Sequence, residues 1–437
     1  MRISTSQIYD AGSRNIQRNQ SSLYKLQNQL STGRRVLTPA DDPVAASEAL
    51  VVNQSLEVNQ QHINNQSNAK SQLGLVDSQL SSLTDLLQNV RDRVIQAGNT
   101  GSMTNSDRQS IATELESRLS ELVGIANSQN GSGDYLFSGY RGATVPFAIG
   151  TGGAYAYSGD GGERLLQVSA SRQMAVNVAG SDLFMNIRSG NGTFVATTGG
   201  NIGGGINQGA ATVDAGSVLD LQKWQQGVNS FGWSNAANPS LQVRFAVTAG
   251  VTTYQLYDVS VPGTPVAMTA AATYTAGQSI AIASTTPPAA SATDFGSKIV
   301  VSGQPADGDT FSVKPSASQS IFQTMQSLIS ALKTSVGSTT YTSTQLSNVL
   351  AAQLSNIDQA AENVSRVQSI VGTRLSEIDS LSSTAADLDV QYNATLSDLQ
   401  DLDYAKAISD FTLQKTYLEA AQSSFAKIAG LSLFNYL

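Results

Sequence analysis

The stretch from Leu350 to Leu402, LAAQLSNIDQAAENVSRVQSIVGTRLSEIDSLSSTAADLDVQYNATLSDLQDL, decides the fold. Within it Leu350, Ile357, Val364, Val371, Ile378, Ala385, Tyr392 and Leu399 recur every seven residues. Three positions further on, Ala360, Val367, Leu381, Leu388 and Leu402 supply much of a second apolar position, interrupted at Gln353, Arg374 and Thr395. A helix with this spacing presents a continuous seam to a neighbour, so the segment reads as an imperfect coiled-coil stripe. Its partner stands near the other end of the chain: Leu73, Leu80, Leu87 and Val94, with Val76, Leu83, Val90 and Ala97 three positions on. A shorter helical pattern follows a break at Gly98 to Gly101, with Ala112, Leu119 and Ala126 interleaved with Leu115 and Leu122. At the helical rise per residue, roughly 55 residues from Pro43 span about 80 Å. The two flanks therefore predict a long antiparallel rod.

Residues that break helices are confined elsewhere. Eight of the 10 prolines lie between Pro146 and Pro315, and 25 of the 37 glycines between Arg141 and Ala317. From Val44 to Val145 and from Ser316 to Leu437 there is no proline, which permits uninterrupted helices. The middle reads as β-structure, with strands expected at Leu241–Val247, Thr253–Val259, Ser279–Ala283, Lys298–Val301 and Thr310–Val313. Ala154–Ser158 and Arg164–Val168 flank Gly159-Asp160-Gly161-Gly162 and predict a hairpin, while Gly199 to Gly205 predicts a flexible loop. The expected fold class is a multidomain α+β protein: a long antiparallel coiled-coil rod formed by both termini, carrying an inserted all-β module. Its expected divisions are 1–40 with 403–437 as a terminal helical assembly domain, 41–185 with 305–402 as the rod with small β elements, and 190–305 as the inserted β domain, based on strands near 154–180 and 310–314.

Two further heptad series occupy the extremities: Tyr9, Ile16, Leu23 and Leu30 at one end, Tyr404, Phe411, Leu418 and Phe425 at the other. The second is out of phase with Leu399, and the break falls among Asp401 and Asp403; Gly33 and Thr38 to Pro43 interrupt the N-terminal side comparably. Both ends then read as one thin helical pair. Such a pair buries little by itself, so the expectation is that it is poorly ordered in the monomer and orders against other copies. These eight residues are the expected assembly interface. Heterologous contacts of this kind generate rings or tubes.

Composition excludes much else. The 437 residues contain no cysteine and a single histidine, which removes disulfides, cysteine-ligated metal and most histidine-based catalysis. The net charge of −8, with no window rich in lysine and arginine, argues against nucleic acid and against anionic membranes. The surplus acid lies in 318–437, which carries six basic and eleven acidic residues. No stretch approaches the roughly 18–20 apolar residues of a membrane span, and Met1 to Asp10 lacks the core of a secretory signal. Paired carboxylates at Asp41 and Asp42 could serve as acid and base, but Asp42 before Pro43 has the form of an N-cap with proline at the first helical position. Asp41, Asp42 and Pro43 are therefore assigned to capping the long helix, both carboxylates complementing its positive end. Asp307-Gly308-Asp309 reads as a turn rather than a calcium loop, His62 as a polar contact of the long helix, and Gly203-Gly204-Gly205 as a loop without phosphate-binding context. Trp224 and Trp233 read as core anchors, the alternative being a sugar-stacking platform. No catalytic residue, cofactor or metal site is expected.

Several segments resemble the flagellin superfamily. They are Met1-Arg2-Ile3-Ser4-Thr5, Gln29-Leu30-Ser31-Thr32-Gly33-Arg34-Arg35-Val36, Thr38-Pro39-Ala40-Asp41-Asp42-Pro43-Val44-Ala45-Ala46, Asp134-Tyr135-Leu136-Phe137-Ser138-Gly139 followed by Pro146-Phe147, Asp309-Thr310-Phe311 with Ser320-Ile321-Phe322, and Leu431-Ser432-Leu433-Phe434-Asn435-Tyr436-Leu437. The likeness covers about 1–185 and 305–437; nothing is carried over to 190–305. It implies an extracellular structural protein of the bacterial flagellum, not an enzyme, exported through the flagellar type III apparatus without a cleaved signal peptide and joining the hook side to the flagellin filament. The implied partners are copies of itself, the first hook-associated protein, flagellin and a cytoplasmic flagellar export chaperone. The absence of cysteine suits an export channel that passes unfolded chains. A filament subunit is the alternative within the family, and a glycan-binding or glycan-hydrolysing module on a helical rod the alternative outside it.

Overall fold

The structure, a computed structural model, describes residues 5–99, 102–233, 238–285, 293–337 and 341–430. The described residues separate into two compact units. The first is drawn from Met1–Ser67, Gln167–Arg172 and Ile378–Leu437, the second from Asn68–Leu166 and Gln173–Glu377.

Local capping chemistry sets several of the helix boundaries. α1 spans Thr5–Thr32 and stops at Gly33, whose φ of 72° takes the chain out of the helix. α2 spans Pro43–Ala97. Asp42 accepts a hydrogen bond from the Ala45 N–H at 3.0 Å, and Pro43 occupies the position whose missing N–H costs nothing. α3, Asn105–Ala126, opens with a reciprocal capping box between Thr104 and Asp107. Four short strands follow, β1 (Phe147–Ile149), β2 (Tyr155–Tyr157), β3 (Leu165–Ser169) and β4 (Arg172–Ala175), in two antiparallel ribbons, β1 with β2 and β3 with β4. The hairpin expected across Gly159–Gly162 is not formed, although both of its strands exist. Asp160 is the reason: its carboxylate accepts from the Tyr140 and Gly162 N–H groups at 2.8 and 2.9 Å, and its own N–H donates to the Ser138 carbonyl. These bonds hold the glycine segment against Ser138–Tyr140, so each flanking strand pairs elsewhere.

Within the second unit the apolar seam of α2 is fully buried from Leu73 to Ala97. So are Leu350, Ile357, Val364 and Val371 of α6, which spans Ser343–Gln400. The helices run antiparallel there, Gln368 reaching Ser81 at 3.2 Å and Arg91 pairing with Asp358 at 2.9 Å. α5, Ile321–Lys333, is capped by Ser320 and packs on α3. At one end of this bundle the Phe147 ring lies 5.0–5.1 Å from Tyr157, Phe184 and Phe322, and Phe137 meets Phe184 at 5.4 Å. Three of the quoted sequence motifs thus converge in one aromatic cluster. Each phenylalanine is shielded from water, which stabilises the unit by roughly 1.5–3 kcal/mol per ring.

The β module is an antiparallel two-sheet structure. After β5 (Ile187–Arg188), its strands are β6 (Phe194–Asn201), β7 (Thr212–Val213), β8 (Ser217–Val218), β9 (Leu241–Thr248), β10 (Val251–Asp258), β11 (Val266–Ala267), β12 (Ala272–Thr273), β13 (Ser279–Ser284), β14 (Thr293–Ser302) and β15 (Asp309–Pro315), with β16 (Ser318–Gln319) pairing back to β5. One sheet has the order β11-β10-β9-β15-β6 with β12 on β10; the other has β13-β14-β7 with β8 on β14. Alternating Leu241, Val243 and Phe245 of β9 and Phe311 and Val313 of β15 face a core shared with Ile280, Ile299 and Phe295 of the second sheet. β15 lies between β9 and β6 in the larger sheet, not beneath it.

Two details depart from expectation. A helix, α4 (Leu221–Ser230), sits on β14, and a Cβ at Gly227 would come within 2.4 Å of the Phe295 ring. Gly199 to Gly205 is not a loose loop: its first three residues end β6, and the remainder closes on Asn201, which bonds Gly203, Gly204 and Gly205. The module meets α6 through polar contacts. Asn348 and Asn356, both buried, accept from the Val213 and Gly190 N–H groups at 2.9 and 2.7 Å.

Trp224 and Trp233 are 4% and 2% exposed and lie against Phe194 and Phe295, so neither can stack on a sugar. Asp309 is fully buried with both oxygens taken by N–H donors of Asn201, Gln208, Gly209 and Ala306, a turn-organising carboxylate rather than a cation ligand. No helix among the described residues is long and apolar enough to cross a membrane.

Candidate assembly interface

The first unit contains α1, the opening of α2, the end of α6 and α7, which spans Tyr404–Gly430. Asp403 caps α7, accepting from the Ala405 and Lys406 N–H groups at 3.0 and 3.1 Å. α1 and α7 lie side by side in antiparallel fashion. Tyr9 meets Phe425 edge-on at 5.8 Å, and Asn19 accepts from Gln414 at 3.3 Å. Gly12 makes room for Phe425: a Cβ there would fall 2.7 Å from its ring.

The two chain breaks form a clasp. Arg35 N–H donates to the Gln400 carbonyl at 2.7 Å and Leu402 N–H to the Gly33 carbonyl at 2.9 Å. The Arg35 guanidinium bridges the Leu399 carbonyl at 2.7 Å and Asp42 at 3.0 Å, joining the negative end of α6 to the N-cap of α2. Asp41 accepts from the Leu37 and Thr38 N–H groups and pairs with Lys25 at 2.7 Å. Lys25 and then the Thr38 backbone hold its carboxyl down at about 2. The Ala45 N–H, then Arg35, lowers Asp42. Of the two carboxylates, Asp42 thus caps α2 and Asp41 closes the turn before it.

The eight heptad residues are placed as follows. Tyr9, Ile16, Leu23 and Leu30 of α1 and Phe411, Leu418 and Phe425 of α7 are half-buried along the seam between the two helices of the same chain. Tyr404 is exposed, with its hydroxyl 2.8 Å from where a Cβ at Gly33 would stand. Outside the seam lie large apolar side chains that the heptad reading did not select: Tyr24, Ile408, Leu413 and Tyr417 on the terminal pair, and Val44, Val51 and Val58 on α2, all exposed. A signal for the last three was present, since they too recur every seven residues. Met1 to Ser4 and Leu431 to Leu437, which belong to the quoted terminal motifs, lie outside the described residues.

The model of the bacterial flagellin N-terminal helical region matches residues 3–141 and that of the C-terminal helical region residues 354–437, together just over half of the chain. The chain is 37% identical over 191 residues to flagellar hook-associated protein 3 of Salmonella typhimurium and 36% over 189 residues to that of Escherichia coli, in each case 43% of this chain. The chain spans 58% of the length of these two relatives. A flagellin of Bacillus subtilis is 30% identical over 126 residues, 28% of this chain and 40% of that protein. Among solved structures, the flagellar junction protein FlgL of Legionella pneumophila has a TM-score of 0.66 at 28% identity, covering 81% of this chain and 100% of that one. FlgL of Xanthomonas campestris has a TM-score of 0.63 at 25% identity, covering 79% and 99%. By its two matched helical regions, its fold and these relatives, the chain belongs to the bacterial flagellin family.

Proposed function

We propose that the chain is a structural junction subunit of the bacterial flagellum, connecting the hook side to the flagellin filament and assembling through its terminal helices. The observation that carries this reading is the make-up of the first unit. Its buried apolar side chains among the described residues are Ala45, Ala49, Ala385, Ala407, Val168 and Ile378, mostly too small to fill a core, while Leu50, Val51, Val390, Ile408 and Tyr417 stand in solvent. A helical unit built this way gains stability chiefly from what covers it. The higher identity to hook-associated protein 3 than to the flagellins favours a junction over a filament subunit.

On this reading the neighbours are copies of the chain in a ring or helical layer, the first hook-associated protein on one side and flagellin on the other. A cytoplasmic export chaperone holds the terminal helices before secretion, and the protein ends outside the cell without loss of a signal peptide. It performs no catalysis. Purified chain added to short filament seeds tests the assignment: a junction subunit adds a limited layer and stops, whereas sustained elongation identifies a filament subunit instead.

A further inference from the structure

The charges of the first unit are sorted by element. α1 and α7 carry Arg14, Arg18, Lys25, Lys406, Lys415 and Lys427 against Asp10, Asp410 and Glu419. The lengths of α2 and α6 in the same unit, 43–67 and 378–400, carry Glu48, Glu57, Asp379, Asp387, Asp389 and Asp398 and neither lysine nor arginine; the turn at 167–172 adds Arg172. Little of this charge is neutralised locally. Among the described residues Arg14, Arg18, Glu48, Glu57, Asp387 and Asp398 form no ion pair.

Between these carboxylates the same section holds a groove of about 530 Å³ whose own lining carries no carboxylate, formed by Val58, His62 and Gln66 of α2, Leu388 and Tyr392 of α6, and the β3–β4 turn. Gln66 is 2% exposed; its amide nitrogen donates to the Val168 carbonyl at 2.7 Å, while its Oε1 has no donor among the described residues.

We propose that this acidic face of α2 and α6 seats the basic α1–α7 pair of a second copy of the chain. The inference rests on the assembly reading and specifies its geometry. Complementarity of sign between two surfaces of one molecule orients the contact head to flank, a heterologous contact of the kind that builds rings or helical layers. The lengths agree: the 28 residues of α1 extend about 42 Å, and the 25 residues of α2 in the acidic section about 37 Å. Leu413 and Tyr417, exposed on α7, supply apolar surface for the exposed Val58 and Leu388.

Sedimentation velocity of the full chain at about 50 mM and about 500 mM sodium chloride reads the proposal, because screening shortens the reach of exposed charges from roughly 14 Å to 4 Å. Wild type is expected to associate at the lower salt and weaken about tenfold at the higher. Arg14→Glu with Arg18→Glu, and separately Glu57→Lys with Asp387→Lys, are expected to remain monomeric with unchanged circular dichroism. The chain carrying all four substitutions, with both signs exchanged, is expected to associate again. Association that ignores salt, either reversed pair behaving as wild type, or a fourfold variant that stays monomeric overturns the charge pairing and leaves the assembly reading standing. A wild-type chain that stays monomeric under every condition overturns both.

Discussion

Replacing Phe411 and Leu418 with aspartate should open the terminal helix pair and leave the rest of the protein folded. Both side chains are half-buried on the seam of α7 against α1. Full burial of such a side chain stabilises by roughly 1.5–3 kcal/mol, so half-burial of two amounts to about 1.5–3 kcal/mol. Aspartate removes that contribution and places a carboxylate beside apolar neighbours on both helices. The open population of the pair should rise by roughly 10- to 150-fold. Hydrogen exchange followed by mass spectrometry separates the two parts of the molecule: amides of 5–32 and 404–430 should exchange faster by that factor, while those of Leu73–Val94 and of β9 and β15 keep wild-type rates. The variant should also fail to incorporate into flagella. Unchanged exchange in both terminal helices would show that the seam does not hold them, and normal incorporation would show that assembly does not need them.

Three other outcomes follow from specific contacts. Asp41 is held near 2, below an ordinary carboxylate, so its contribution is present above about pH 4 and is lost as pH falls through 2; exchange at 33–46 should rise across that window in wild type and show no such step in Asp41→Asn. Phe322→Ala empties the centre of the aromatic cluster and should lower the stability of the second unit by about 3–5 kcal/mol in denaturant titrations, a loss below 1 kcal/mol contradicting the packing described. Both tryptophans should resist acrylamide quenching until the β module unfolds; quenching at the rate of a free indole would return them to the surface.

Much of this architecture was legible because a coiled-coil seam writes itself into sequence at a fixed period. Leu73 to Ala97 and Leu350 to Val371 are buried where the heptads place them, and Asp42-Pro43 starts α2 by local chemistry alone. The strands of the β module were likewise marked by alternation and by glycine and proline at their ends. Pairing was harder to read. The partners of β2 and β3 depend on Asp160 engaging Tyr140, a contact 20 residues away, and local turn rules do not see it. α4 leaves no local signal, because Trp224 and Gly227 suit helix only when Phe295 lies opposite. At the extremities, periodicity identified a stripe without saying which molecule covers it. The structure gives that stripe to the α1–α7 seam and leaves a second one, Val44, Val51 and Val58 among it, facing outward.

Limited proteolysis of the monomeric chain, with mapped cut sites, measures directly whether the first unit is unfinished without neighbours. Trypsin should cut first at Arg14, Arg18 and Lys25 and, at a matching rate, at Lys406, Lys415 and Lys427, leaving the second unit intact; the same sites should resist in assembled flagella. Ends that survive in the monomer as long as the β module does would contradict the central claim.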